Sequence, residues 1–153
     1  MNKNHFEIVS KHFGFLLSKY NFKIKEIIAY DYALYAKFSS STVGVYIIYE
    51  FREKFPQIQF SNQNIDEFEI RPGIYTIKEF FKKEDYQLQT FYLDEIIKYK
   101  IGKDYKDFFK DVKTVEDSIK ISAALTEEFA SDFIVGEKSV IKKMNLWFKE
   151  QLN

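Results

Sequence analysis

The chain has 153 residues, with 23 Lys plus Arg, 23 Asp plus Glu and no cysteine. That length fits one domain that buries roughly two-thirds of its unfolded surface without a metal or disulfide staple. Zero net charge weighs against a nucleic-acid binder, whose affinity rests largely on cationic contacts to phosphate. The missing cysteines exclude disulfides, thiolate metal sites and cysteine nucleophiles.

Hydrophobic residues make up 46% of the chain and aromatics 19%, with 17 Phe and 11 Tyr. This is too apolar for an unfolded chain and predicts an aromatic-rich core. The basic residues are nearly all Lys, with Arg only at Arg52 and Arg71. Together with the abundant Asn, Ile, Phe and Tyr, that is the usage of AT-rich codons. The segment Met1 to Glu7 has no apolar h-region, so no secretory signal is expected. The apolar run from Val43 to Tyr49 is far short of the ~20 residues that cross a bilayer, so no membrane span is expected. The cytoplasm is the expected compartment.

Residues 4–20 read as an amphipathic helix, because Phe6, Val9, Phe13, Leu16, Leu17 and Tyr20 recur three and four apart. Asn4 is placed to cap it, with Glu7 completing a capping box. Gly14 inside it costs about 1 kcal/mol against Ala, so close packing on a sheet is expected there. Asn21 is a natural stop. Four strands follow over 22–29, 33–39, 42–52 and 57–61, joined by short connections that favour an antiparallel meander. In the third, Val43, Val45, Ile47, Tyr49 and Phe51 share a face, and the strand is expected to be central. The fourth suits a half-exposed place near an edge, with Pro56 at its start.

Residues 61–75 read as a polar loop in which Ile65, Phe68 and Ile70 could form a fifth strand. A helix begins at the capping box of Thr76 and Glu79 and runs to about residue 85. Thr90 is read as the cap of a second helix ending at Gly102. Tyr105, Phe108 and Phe109 recur at helical spacing. Thr114 caps a longer helix, striped by Val115, Ile119, Leu125 and Phe129 and ended by Gly136. Ser139 opens the last, with Ile141, Met144, Trp147, Phe148 and Leu152.

Chemistry-bearing groups are thin on the ground. His5 and His12 lie seven apart, whereas metal ligands on one helix sit better at three or four; they read as surface histidines. Glu127, Glu128 and Asp132 read as a solvated helix face, since acid–base or metal work needs carboxylates converging in a cleft. Ser39, Ser40 and Ser41 lack any nucleophile elbow and read as turn chemistry. The five glycines form no phosphate-cradling loop. Tyr30, Tyr32, Tyr35, Tyr46 and Tyr49 cluster on the first three strands, as strand formers or as anchors for protein recognition. The surface singled out for a partner is the loop with Asp66, Glu67 and Glu69, followed by Tyr75, where acidic and aromatic groups could grip a basic protein.

The segment Phe129 to Glu137, a short apolar pair before Gly and an acid, is similar to a helix end in several bacterial families. With it, the element order resembles that of small cytosolic α+β proteins, some of them immunity proteins of polymorphic toxin systems. The resemblance implies a toxin as partner and carries no functional residue with it. Nuclease immunity proteins are often strongly acidic, and this neutral chain departs from that subclass.

The fold expected is α+β, one domain over residues 1–153: an antiparallel meander of four or five strands, an N-terminal helix and several C-terminal helices. The function expected is a non-enzymatic protein-binding module, an immunity- or antitoxin-like inhibitor, with no catalytic residue, cofactor or metal. Nucleic acid and membrane are not expected partners. The alternatives are a small-ligand binder or carboxylate-based enzyme with an apolar aromatic pocket, and a homodimer whose interface takes up the aromatic surplus.

Overall fold

A computed structural model describes residues 3–62 and 88–152. Asp66, Glu67, Glu69 and Tyr75, the strand expected around Ile65 to Ile70 and the helix expected from Thr76 lie outside the described residues.

The region read as one helix is two, α1 (Lys3–His12) and α2 (Phe15–Ser18). A Cβ on Gly14 would stand 2.8 Å from the Ser10 carbonyl oxygen and 3.4 Å from that of Lys11. The preceding helical turn, and not the sheet, therefore requires glycine here. Asn4 lies within the first turn of α1 instead of capping it. Asn21 does stop the helical region: it takes a left-handed φ of 61°, and the Phe22 N–H reaches back to the Leu16 carbonyl at 2.9 Å.

Strands β1 (Lys23–Ala29), β2 (Ala33–Ser39), β3 (Gly44–Glu50), β4 (Gln57–Ser61) and β5 (Thr90–Tyr92) form one antiparallel sheet in sequence order. The fifth described strand is thus Thr90–Tyr92, and Thr90 is its first residue rather than a helix cap; its hydroxyl donates to Ser61 Oγ at 3.4 Å. Strand alternation sorts the side chains onto two faces. On the inner face, Phe38, Val45, Phe60 and Phe91 stand opposite one another across four strands, each at most 1% exposed. A parallel row of Ala36, Ile47 and Ile58 is equally dry. The outer face carries Glu26, Lys37, Tyr46, Gln59 and Tyr92 in one row across all five strands.

Helices cover the inner face. Phe13, just after α1, meets Phe38 with ring centres 6.3 Å apart. Helix α3 (Leu93–Ile101) starts where the Glu95 carboxylate accepts the Tyr92 N–H at 2.8 Å, and ends at left-handed Gly102. A 3-10 helix spans Tyr105–Phe109, and the buried Tyr105 hydroxyl donates to the Pro56 carbonyl at 2.8 Å. Helix α4 (Val115–Phe129) is capped by Thr114, whose Oγ1 accepts the Asp117 N–H at 3.0 Å. It ends at Ala130 and not at Gly136. Lys100 donates to the Phe129 carbonyl at 2.6 Å and to the Asp132 carboxylate at 2.7 Å, satisfying the helix end. The short α5 (Ser131–Ile134) then turns Phe133 inward against Phe91, ring centres 5.5 Å apart. Gly136, at φ 75°, leads into α6 (Lys138–Leu152). Asn145 of α6 is 2% exposed; its Oδ1 accepts the Leu88 N–H at 2.7 Å, and its Nδ2 donates to the carbonyls of Leu88 and Ile141. One amide thereby pins the backbone leading into β5. Among the described residues, no helix is long and apolar enough to cross a membrane.

Candidate functional site

The tyrosines of the first three strands separate into three environments. Tyr49 is a core residue, 4% exposed. Tyr35 and Tyr46 are half-buried on the outer face; burial raises the Tyr46 hydroxyl above its ordinary pKa, and Lys37 lies over its ring at 5.4 Å. Tyr30 and Tyr32 stand in the β1–β2 turn, 42% and 68% exposed. Their rings stack in parallel, centroids 5.2 Å apart at 7°, and Tyr35 meets Tyr30 edge-on at 6.5 Å.

That turn is held from three directions. The Tyr30 N–H donates to the Ala33 carbonyl at 2.8 Å, closing the hairpin. The Tyr32 carbonyl accepts the Phe51 N–H at 2.9 Å from the neighbouring strand end. His5 of α1 donates through Nδ1 to the Tyr30 carbonyl at 3.2 Å, while its ring stands edge-on to Phe51 at 4.7 Å. Two large rings with few rotatable bonds thus project from a backbone that is already ordered. This is what lowers the entropic cost of recognition.

The remaining sequence candidates disperse. His5 serves the turn, and His12 faces Glu116 at 4.0 Å with a side chain only 13% exposed, so neither is a free surface histidine. Burial pushes the His12 pKa down; Glu116 pulls it up, and Lys11 and Lys120 add to the lowering. Glu127 pairs with Lys19 at 3.2 Å and Asp132 with Lys100 at 2.7 Å, while Glu128 is exposed, so these carboxylates share no cleft. Ser40 does turn work: its Oγ accepts the Val43 N–H at 3.0 Å. Among the described residues, no three His, Cys, Asp or Glu side chains are grouped to hold a metal ion.

Two of the grooves among the described residues flank the sheet ends. One, of about 560 Å³, runs between the β3–β4 turn and the start of α4; Phe55, Phe109 and Val112 wall it beside Lys54, Lys106 and Lys113. The other, of about 680 Å³, lies between the α2–β1 loop and the β2–β3 turn. The tyrosine cluster is visible in the sequence; the stacked pair is not, although the Tyr30-Asp31-Tyr32 triplet across a predicted turn is its signal. No protein family, no curated protein and no solved structure matches this chain.

Proposed function

We propose that this chain is a non-enzymatic protein-binding module that acts as an immunity- or antitoxin-like inhibitor, with the Tyr30–Tyr32 turn as its central contact. The observation that carries the reading is the exposed, stacked tyrosine pair on a turn fixed by hydrogen bonds from β2, from the end of β3 and from α1. Tyrosine is among the residues that dominate binding energy at protein interfaces. The acidic segment with Asp66, Glu67 and Glu69 and the nearby Tyr75, outside the described residues, is the second contact in this proposal. Reversing those three charges is expected to weaken the partner complex while leaving the melting temperature unchanged.

The test is survival. The reading frame beside this gene is expressed in a naive host, with and without this protein. Toxicity that the wild-type chain relieves, and that the Tyr30→Ala/Tyr32→Ala variant does not, is the expected result. Absence of toxicity, or toxicity left unrelieved, would remove the inhibitor reading. The second reading, a small-ligand site, draws on the size and aromatic walls of the groove at Phe55 and Phe109, which fall in the range of ligand pockets. Ligand-induced rises in melting temperature, abolished by Phe109→Ala, would favour it instead.

A further inference from the structure

We propose that the groove between the α2–β1 loop and the β2–β3 turn is an oxyanion site that takes the phosphate group of a small molecule. It is lined by Lys19, Asn21, Lys23, Lys25, Ser41 and Thr42, with no Asp or Glu among its lining residues. On a chain with 23 cations and 23 anions, this is a local separation of charge. By contrast, the groove at Phe55 and Phe109 mixes its lysines with Glu53 and Asp107, and Lys37, Lys98 and Lys100 pair with Glu26, Asp104 and Asp132. Lys19 also has a partner, Glu127 at 3.2 Å. Lys23 and Lys25 make no ion pair within the described residues, so two ammonium groups without a described carboxylate partner line the groove.

The local fold builds this arrangement. Lys23 stands opposite Ser39 in the β1–β2 register. The register skips between Ile24 and Glu26, leaving Lys25 as an extra residue outside the ladder; such bulges re-aim side chains next to functional sites. Across the groove, the Ser40 hydroxyl accepts the N–H groups of Thr42 and Val43 at 3.4 and 3.0 Å, fixing the turn that presents Ser41 and Thr42. Their own hydroxyls make no hydrogen bond within the described residues. Asn21 adds an exposed amide from its left-handed position.

The chemistry selects phosphate over carboxylate. Lysine offers a compact point charge suited to a tetrahedral dianion, whereas planar carboxylate recognition favours the arginine fork, which is absent here. Two such charges also fall short of the roughly six to ten phosphate contacts of a nucleic-acid binder. Val135, 58% exposed at the rim, offers apolar contact to a carbon skeleton. The site lies at the end of the β1–β2 hairpin opposite the Tyr30–Tyr32 turn and does not depend on that turn's function.

The experiment is a ¹⁵N-resolved NMR titration of the full chain with inorganic pyrophosphate, and separately with ribose 5-phosphate, at constant ionic strength. Saturable shifts centred on residues 19–25 and 39–42 are expected. They should weaken by roughly tenfold or more in Lys23→Gln/Lys25→Gln, as loss of charge-assisted hydrogen bonds implies. They should persist in Lys54→Gln/Lys113→Gln, which alters the other groove. Equal affinity for the two probes would assign a free oxyanion as the ligand. Tighter binding of ribose 5-phosphate, reduced by Val135→Ser, would assign a phosphorylated organic molecule. Shifts that do not saturate, that spread over both grooves alike, or that survive Lys23→Gln/Lys25→Gln would overturn the site.

Discussion

The two faces of the sheet are built from the same strands yet answer to different demands. On the inner face, Phe38, Val45, Phe60 and Phe91 lie in register, each at most 1% exposed. One residue along, Lys37, Tyr46, Gln59 and Tyr92 form a half-buried row, and beyond its β1–β2 end stand the exposed rings of Tyr30 and Tyr32. Packing fixes the first set, because any lost volume leaves a void between strand and helix. The second set is only half-buried, so truncating its side chains leaves less of a void. The comparison teaches that stability and partner binding should separate by face.

The largest effect is expected on the inner face. Phe60→Ala should cost about 3–5 kcal/mol, as large-to-small changes at fully buried aromatics do, read from denaturant midpoints. Tyr46→Ala, on the adjacent strand but the opposite face, should cost clearly less in the same measurement. Equal losses would erase the distinction between faces. Next comes the polar clamp behind the inner face: Asn145→Leu leaves the Leu88 N–H and carbonyl without their side-chain partner. Each buried group so orphaned costs about 1–3 kcal/mol, and amide exchange at residues 88–92 should accelerate before the rest of the sheet.

A smaller effect concerns the packing of α1 on α4. The folded-state pKa of His12 lies below its ordinary value because burial disfavours the charged ring, despite Glu116. The unfolded chain therefore takes up the proton first as pH falls. Its contribution to stability is complete above the unfolded pKa of about 6.5 and is lost as pH falls through the folded value. Melting curves should show that acid-side loss in the wild-type chain. Glu116→Gln, which removes the one neighbour favouring the charged ring, should deepen it.

Much of this architecture is legible in the residues. Alternation over five to seven positions marks β2 to β4, and Thr114, Gly102 and Asn21 act as the cap and stops their chemistry implies. Thr90-Phe91-Tyr92 is too short to show a period, and a threonine ahead of a helix imitates a cap. The breaks at Gly14 and Ala130 are hidden because the apolar pattern continues across each, and neither carries a proline. The site is less legible than the fold. Tyrosine clustering is visible in sequence, but ring stacking depends on turn geometry. Whether Lys23 and Lys25 lack carboxylate partners depends on which strands face them.

The most direct test measures binding and stability together. The product of the neighbouring reading frame is titrated against the wild-type chain and against Tyr30→Ala/Tyr32→Ala, and each form is unfolded in denaturant. An affinity loss of about 2 kcal/mol or more is expected, as for interface tyrosines at a hot spot. The expected stability change is no larger than the roughly 0.5–1.5 kcal/mol of a lost ring pair. A double variant that binds its partner as tightly as wild type would contradict the proposed contact.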